Sequence, residues 1–125
     1  MNREVISTKN APGAIGPYSQ GIKIGDFIFT SGQLPINPKT GELISDVKEA
    51  TKTSLENVKA ILEDVGSSLD KVVKTTVFLK DLNDFAAVNE VYGEYFKELP
   101  PARSCFQVGK LPKDAVLEIE VIAHI

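Results

Sequence analysis

The stretch from Asp46 to Gly66 restricts the fold more than any other part of this chain. Val47, Ala50, Leu55, Val58, Ile61, Leu62 and Val65 recur at three- and four-residue spacings, which is the period of a helix with one apolar stripe. Asp46 and Glu49 stand at the spacing of an N-cap and its N3 partner. Gly66 is placed to end the helix in the left-handed conformation. Such a helix cannot bury its stripe alone and must lay it on another element.

The flanking segments supply that element. Val5-Ile6-Ser7 reads as a short first strand, and Asn10 to Pro17, with its prolines and glycines, as a loop long enough to cover something. Gly21 to Ile24 and Phe27 to Ser31 flank Gly25-Asp26 and read as a hairpin. Asn37 to Gly41 is a second turn. Lys71 to Leu79 reads as a strand, and because both its sides are largely apolar or Thr, the simplest expectation is cover on both faces. Helical spacing returns from Asp84 to Phe96 and stops before Pro100-Pro101. Ala102 to Val108 and Val116 to Ile125 read as closing strands. The order of hairpin, helix, strand, helix, strand, strand predicts an α+β fold, a mixed β-sheet with two helices packed on one face. In the last strand Leu117, Ile119, Val121, Ala123 and Ile125 point one way, toward the helices. Glu118, Glu120, Ile122 and His124 point the other, a mixture that a subunit interface containing a polar site would explain.

Composition sets the outer limits. The 125 residues fit one domain, 1–125. The single cysteine, Cys105, cannot form an internal disulfide and favours the cytoplasm. A net charge of −3, with basic residues scattered singly, gives no electrostatic footprint for nucleic acid. No apolar run approaches the ~20 residues of a membrane span, and Met1 to Glu4 opens no signal-peptide pattern.

Few residues are suited to chemistry. Arginine is scarce: Arg3 and Arg103 stand against twelve lysines. A guanidinium holds a carboxylate by two parallel hydrogen bonds, which an ammonium cannot do, so Arg103 is a candidate carboxylate clamp; the alternative is a structural ion pair. Glu118 lies among apolar residues of a strand, where a carboxylate is paired, hydrogen-bonded or proton-active. It is a candidate to orient a water, and the alternative is an edge charge. Cys105 shares a face with Arg103, but the only histidine, His124, is at the far end of the chain, so a small pocket-lining group is the better reading than a nucleophile. One His and one Cys give no metal-ligand spacing, and neither a phosphate loop nor a dinucleotide fingerprint is present. Tyr18, Ser31, Gly32 and Asn89 sit in or near turns and helix faces where a ligand can approach.

Taken in order, Ala14-Ile15-Gly16-Pro17-Tyr18-Ser19-Gln20-Gly21, Thr30-Ser31-Gly32-Gln33, Val88-Asn89-Glu90-Val91-Tyr92, Pro101-Ala102-Arg103-Ser104-Cys105, Leu111-Pro112-Lys113-Asp114-Ala115 and Glu118-Ile119-Glu120 resemble the RidA/YjgF-type reactive intermediate deaminases of the Rid superfamily. The resemblance runs from about Ile6 to Ala123. It implies a chorismate mutase-like fold, a homotrimer with clefts between subunits, and no cofactor. The implied activity is hydrolysis of 2-imino acids, such as 2-iminopropanoate and 2-iminobutanoate, to 2-oxo acids and ammonia. These imines arise from enamines released by pyridoxal-phosphate dehydratases. By the same resemblance Arg103 binds the substrate carboxylate, Glu118 positions the attacking water, and Tyr18, Ser31, Gly32, Asn89 and Cys105 line the cleft. Members of this family are also associated with translation inhibition, ribonuclease activity, chaperone-like holding and transcriptional co-regulation. A regulatory or chaperone-like protein that senses small carboxylates, or a translation-inhibiting ribonuclease, is therefore the competing expectation. The acidic balance argues against direct contact with nucleic acid.

Overall fold

The computed structural model of the chain describes residues 2–125. Six strands and two α-helices follow one another as β1 (Arg3–Ile6), β2 (Gly21–Ile24), β3 (Phe27–Thr30), α1 (Val47–Asp64), β4 (Val72–Leu79), α2 (Phe85–Tyr95), β5 (Ala102–Gln107) and β6 (Leu117–His124). The strands make one sheet in the order β1-β2-β3-β6-β4-β5. Neighbours are antiparallel except β4 and β5, which are parallel. That exception follows from α2, whose crossover returns the chain to the same end of the sheet. The expected mixed sheet with two helices is thus present.

Local chemistry explains the element ends. The Glu49 N–H donates to Asp46 Oδ2 at 3.1 Å, capping α1. Gly66, with φ of 81°, turns the chain away after α1. Gly25, with φ of 58°, closes the β2–β3 hairpin. Asn37 Oδ1 accepts from the Lys39 N–H at 2.8 Å, and Gly41 takes φ of 77°, so the second turn forms as its residues predict.

The core lies between the helices and one sheet face. Leu55, Val58, Ile61 and Leu62 of α1 and Val88 and Tyr92 of α2 join Val77, Leu79, Leu117, Ile119, Val121 and Ala123 in one buried cluster. Along β6 the alternation is strict, with every odd-numbered residue from Leu117 to Ala123 buried and every even-numbered one partly exposed.

Two expectations change. The first strand runs Arg3–Ile6 rather than from Val5 to Ser7, because its register partner β2 begins at Gly21, opposite Ile6. β4 is covered on one face only within this chain: Thr75, Val77 and Leu79 are buried, while Thr76 and Phe78 are half-exposed. A register shift between Val72 and Lys74 also turns Val72 inward and leaves Val73 43% exposed, so Val73 does not share the buried side of Thr75. The open face carries exposed Phe27, Phe29 and Phe106, with Phe106 edge-on to Phe78 at 5.5 Å between ring centroids.

Candidate active site

Strand parity decides where each candidate side chain goes. Arg103 is the cross-strand partner of Thr75, which is buried toward the helices. Arg103 therefore projects on the helix side, at the sheet edge. There its Nη1 donates to Asn89 Oδ1 at 2.7 Å. Its guanidinium carbon lies 4.8 Å from the centre of the Tyr92 ring and 5.4 Å from that of Phe85. Among the described residues no carboxylate lies within ion-pair distance of Arg103. The internal ion pair that competed with the clamp reading is not formed among these residues, and among them only one of the five guanidinium hydrogens has an acceptor. Cys105, one pleat further on, faces the same way and packs against the core. Burial pushes its thiol pKa up, and the nearby Arg103 charge offsets this only in part. Cys105 therefore stays a thiol at neutral pH, a poor nucleophile.

Glu118 is the partner of Phe78 and so emerges on the opposite, open face. Its neighbour there is Gly32. A Cβ built on Gly32 would stand 2.7 Å from the Glu118 carboxyl carbon, so only glycine leaves room for this carboxylate. Paired backbone bonds fix the approach: the Gln33 N–H donates to the Ile119 carbonyl at 2.7 Å, and the Ile119 N–H returns to Gln33 at 3.2 Å. Burial raises the Glu118 pKa, and the Glu120 charge raises it further.

A cleft of about 870 Å³ opens in front of Glu118, bordered by Tyr18, Ser31, Gly32, Ile15 and Lys113 among others. Its rim is held by Gln20, buried at 4% exposure. The Gln20 amide donates to the carbonyls of Thr8 and Pro12 at 3.0 and 2.8 Å, while its oxygen accepts from the Thr8 N–H at 2.6 Å. The loop from Asn10 to Pro17 thus borders the cleft. Ser31 Oγ donates to the Ser19 carbonyl at 2.5 Å, tying the Tyr18 segment to the end of β3.

The seven candidates therefore fall into two groups. Tyr18, Ser31, Gly32 and Glu118 meet at the cleft on the open face. Asn89, Arg103 and Cys105 meet on the helix side of the edge strand. Within one chain the sheet stands between the groups. Phe85 and Tyr92 were legible only as apolar stripe residues. They share one helix face with Asn89, at 85, 89 and 92, but that spacing does not distinguish contact with a guanidinium from contact with the core.

The family model described as Endoribonuclease L-PSP matches residues 8–125. A 2-iminobutanoate/2-iminopropanoate deaminase of Escherichia coli (strain K12) is 56% identical over 123 residues, covering 96% of each chain. The crystal structure of the E. coli yjgF gene product superposes with a TM-score of 0.94 at 54% identity, over 97% of this chain and 98% of that one.

The chain belongs to the RidA/YjgF family. A second structure that it resembles, E. coli TdcF with bound serine, gives a TM-score of 0.94 at 53% identity over 98% of both chains. The RidA/YjgF frame is thus shared along almost the whole chain, from the loop that borders the cleft to the strand that carries Glu118. Among the described residues no helix is long and apolar enough to cross a membrane, and no cluster of metal-ligating side chains occurs.

Proposed function

We propose that this protein hydrolyses 2-iminobutanoate, 2-iminopropanoate and similar 2-imino acids to 2-oxo acids and ammonia, in clefts completed between the subunits of a homotrimer. The observation that carries the reading is the parity of Arg103 and Glu118. They are the two groups best suited to the chemistry, and they leave the sheet on opposite faces. A substrate of four carbons cannot touch both within one chain. A neighbouring copy seated on the open face would bring its Arg103 edge to the cleft of Glu118. The exposed Phe27, Phe29 and Phe106 on that face support such a contact, as does closed cyclic symmetry, which lets one heterologous interface repeat.

Arg103 binds the substrate carboxylate through its free N–H groups, leaving the imine carbon toward Glu118. That carbon is already electrophilic, so no covalent nucleophile is needed. Glu118 holds a water and takes its proton as the oxygen adds to the carbon. The proton passes to the nitrogen of the resulting carbinolamine. The C–N bond then breaks as the carbinolamine hydroxyl returns its proton to Glu118 and its oxygen becomes the new carbonyl, and ammonia and the oxo acid leave. Tyr18, Ser31 and Gly32 line the cleft, and Asn89 and Cys105 line the arginine side. The amino acid bound by TdcF carries the same carboxylate that this reading gives to Arg103. A single domain in a chorismate mutase-like assembly, working in the cytoplasm beside pyridoxal-phosphate dehydratases, completes the proposal.

The test uses enamine released from serine or threonine by a dehydratase, with oxo acid and ammonia followed in time. The unmutated protein accelerates their release. Arg103→Ala lowers kcat/KM by about 100-fold, the scale of a lost charge-assisted pair of hydrogen bonds. No acceleration by the unmutated protein would overturn the reading.

A further inference from the structure

Arg103 is held by more than its hydrogen bond. One side of the guanidinium faces the Tyr92 ring at 4.8 Å from its centre, and Phe85 stands 5.4 Å away. Asn89, on the turn of α2 between those two aromatics, takes one Nη1 hydrogen. Tyr92 is itself fixed, because its hydroxyl and Thr75 Oγ1 share a buried hydrogen bond of 2.7 Å. Thr75 is fully buried and is the β4 residue directly opposite Arg103. At the other end of the unit, Gln107 Oε1 accepts from the Leu82 N–H at 2.8 Å, tying the end of β5 to the turn that precedes Phe85.

We infer that Phe85 and Tyr92 form an aromatic clamp that pre-orients Arg103 for a planar carboxylate, with Thr75 locking the Tyr92 ring in place. This rests on the assignment of Arg103 as carboxylate ligand. A free arginine side chain carries large rotamer entropy that is lost on binding. Aromatic rings packed against the guanidinium remove that freedom in advance and attract the cation. Asn89 occupies one corner of the fork. The Nε and Nη2 edge, with no partner among the described residues, is left for the ligand. The two rings pack against the guanidinium and shield part of it from water, so an arriving carboxylate meets donors already held in place. The arrangement also suits arginine, because a lysine ammonium lacks the planar fork whose remaining donors lie beside the Asn89 contact. Phe85 and Tyr92 touch the arginine and not the reacting atoms, so both are positioning residues.

Phe85 gives the cleaner test, since it is 37% exposed and its replacement leaves the core intact. For imine generated from threonine, Phe85→Leu raises KM roughly three- to ten-fold with kcat changed less than about two-fold, because the carboxylate contact is made equally in ground and transition states. Phe85→Tyr, which keeps a ring face, returns KM to within about two-fold of the unmutated value. Inhibition by 2-oxobutanoate weakens in parallel with KM in Phe85→Leu. Tyr92→Phe keeps the ring and loses the Thr75 bond, and it shows a smaller KM rise of the same sign. Arg103→Ala, assayed beside these variants, separates the two claims. Loss of binding in Arg103→Ala together with an unchanged KM in Phe85→Leu overturns the clamp alone. Unchanged binding in Arg103→Ala overturns the carboxylate assignment, and the clamp with it. A KM rise in Phe85→Leu that Phe85→Tyr does not reverse also overturns the clamp.

Discussion

At the residue scale, Glu118 shows how a site is set by what surrounds it. Gly32 leaves its carboxylate room, burial disfavours its charged form, and Glu120 adds a like charge. Both influences raise its pKa above the ordinary 4.5, so it is a stronger base once ionised. Turnover should therefore fall as pH drops through this raised value. Glu120→Gln removes the like charge and should move that acid limb to lower pH, which a rate profile between pH 4 and 7 would register; a limb that stays put would remove Glu120 from the account. Stability carries the opposite sign. The folded state binds the Glu118 proton more tightly than the unfolded chain does, so this group favours folding at low pH and loses that contribution as pH rises through its folded pKa. Glu118→Gln should thus lose turnover while its Tm at pH 7 stays level or rises, a trade expected where function holds a group in an unfavourable setting.

Residue identity was also where the sequence could be read furthest. The rarity of arginine singled out Arg103, and an acid among apolar strand residues singled out Glu118. The aromatic neighbours of Arg103 were hidden because Phe85 and Tyr92 also serve the α2 stripe, and a stripe has the same spacing whether its end meets a core or a guanidinium.

At the element scale, each helix is set by its cap and by what lies beneath it. Asp46 accepts the Glu49 N–H at the start of α1, and Asp46→Ala should cost about 1 kcal/mol in denaturant unfolding without a change in KM. A simultaneous KM change would mean that α1 reaches the site. The two helices are joined directly, with the Tyr95 hydroxyl donating to Glu56 Oε2 at 2.8 Å. Helix periods and turn residues placed α1, the β2–β3 hairpin and the Asn37–Gly41 turn from the sequence, because each has strong local chemistry. The bulge at Val72 to Lys74 was not legible. It depends on the partner strand β6 and has no distinctive residue of its own. The same limit hid the strand order, since β6 enters between β3 and β4 at long range.

For the whole molecule, the open face is the feature one chain leaves unexplained. Alternation in β6 already pointed to it, with Glu118, Glu120, Ile122 and His124 too apolar for a wet face and too charged for a core. Phe106 lies on that face, 45% exposed. If a second copy covers it, Phe106→Glu places an unpaired charge in the contact. The variant should then run at the mass of a single chain in sedimentation and lose turnover with Arg103 and Glu118 intact. An assembled and active Phe106→Glu protein would remove this face from the interface.

The central claim is that one working site takes its arginine and its carboxylate from different copies. Mixing separately inactive Arg103→Ala and Glu118→Gln chains tests it directly, after unfolding and refolding them together in equal amounts. Shared sites predict recovery of about a quarter of the unmutated rate, the statistical share of interfaces in which an intact Arg103 meets an intact Glu118. A refolded mixture that stays as inactive as its components would contradict the account.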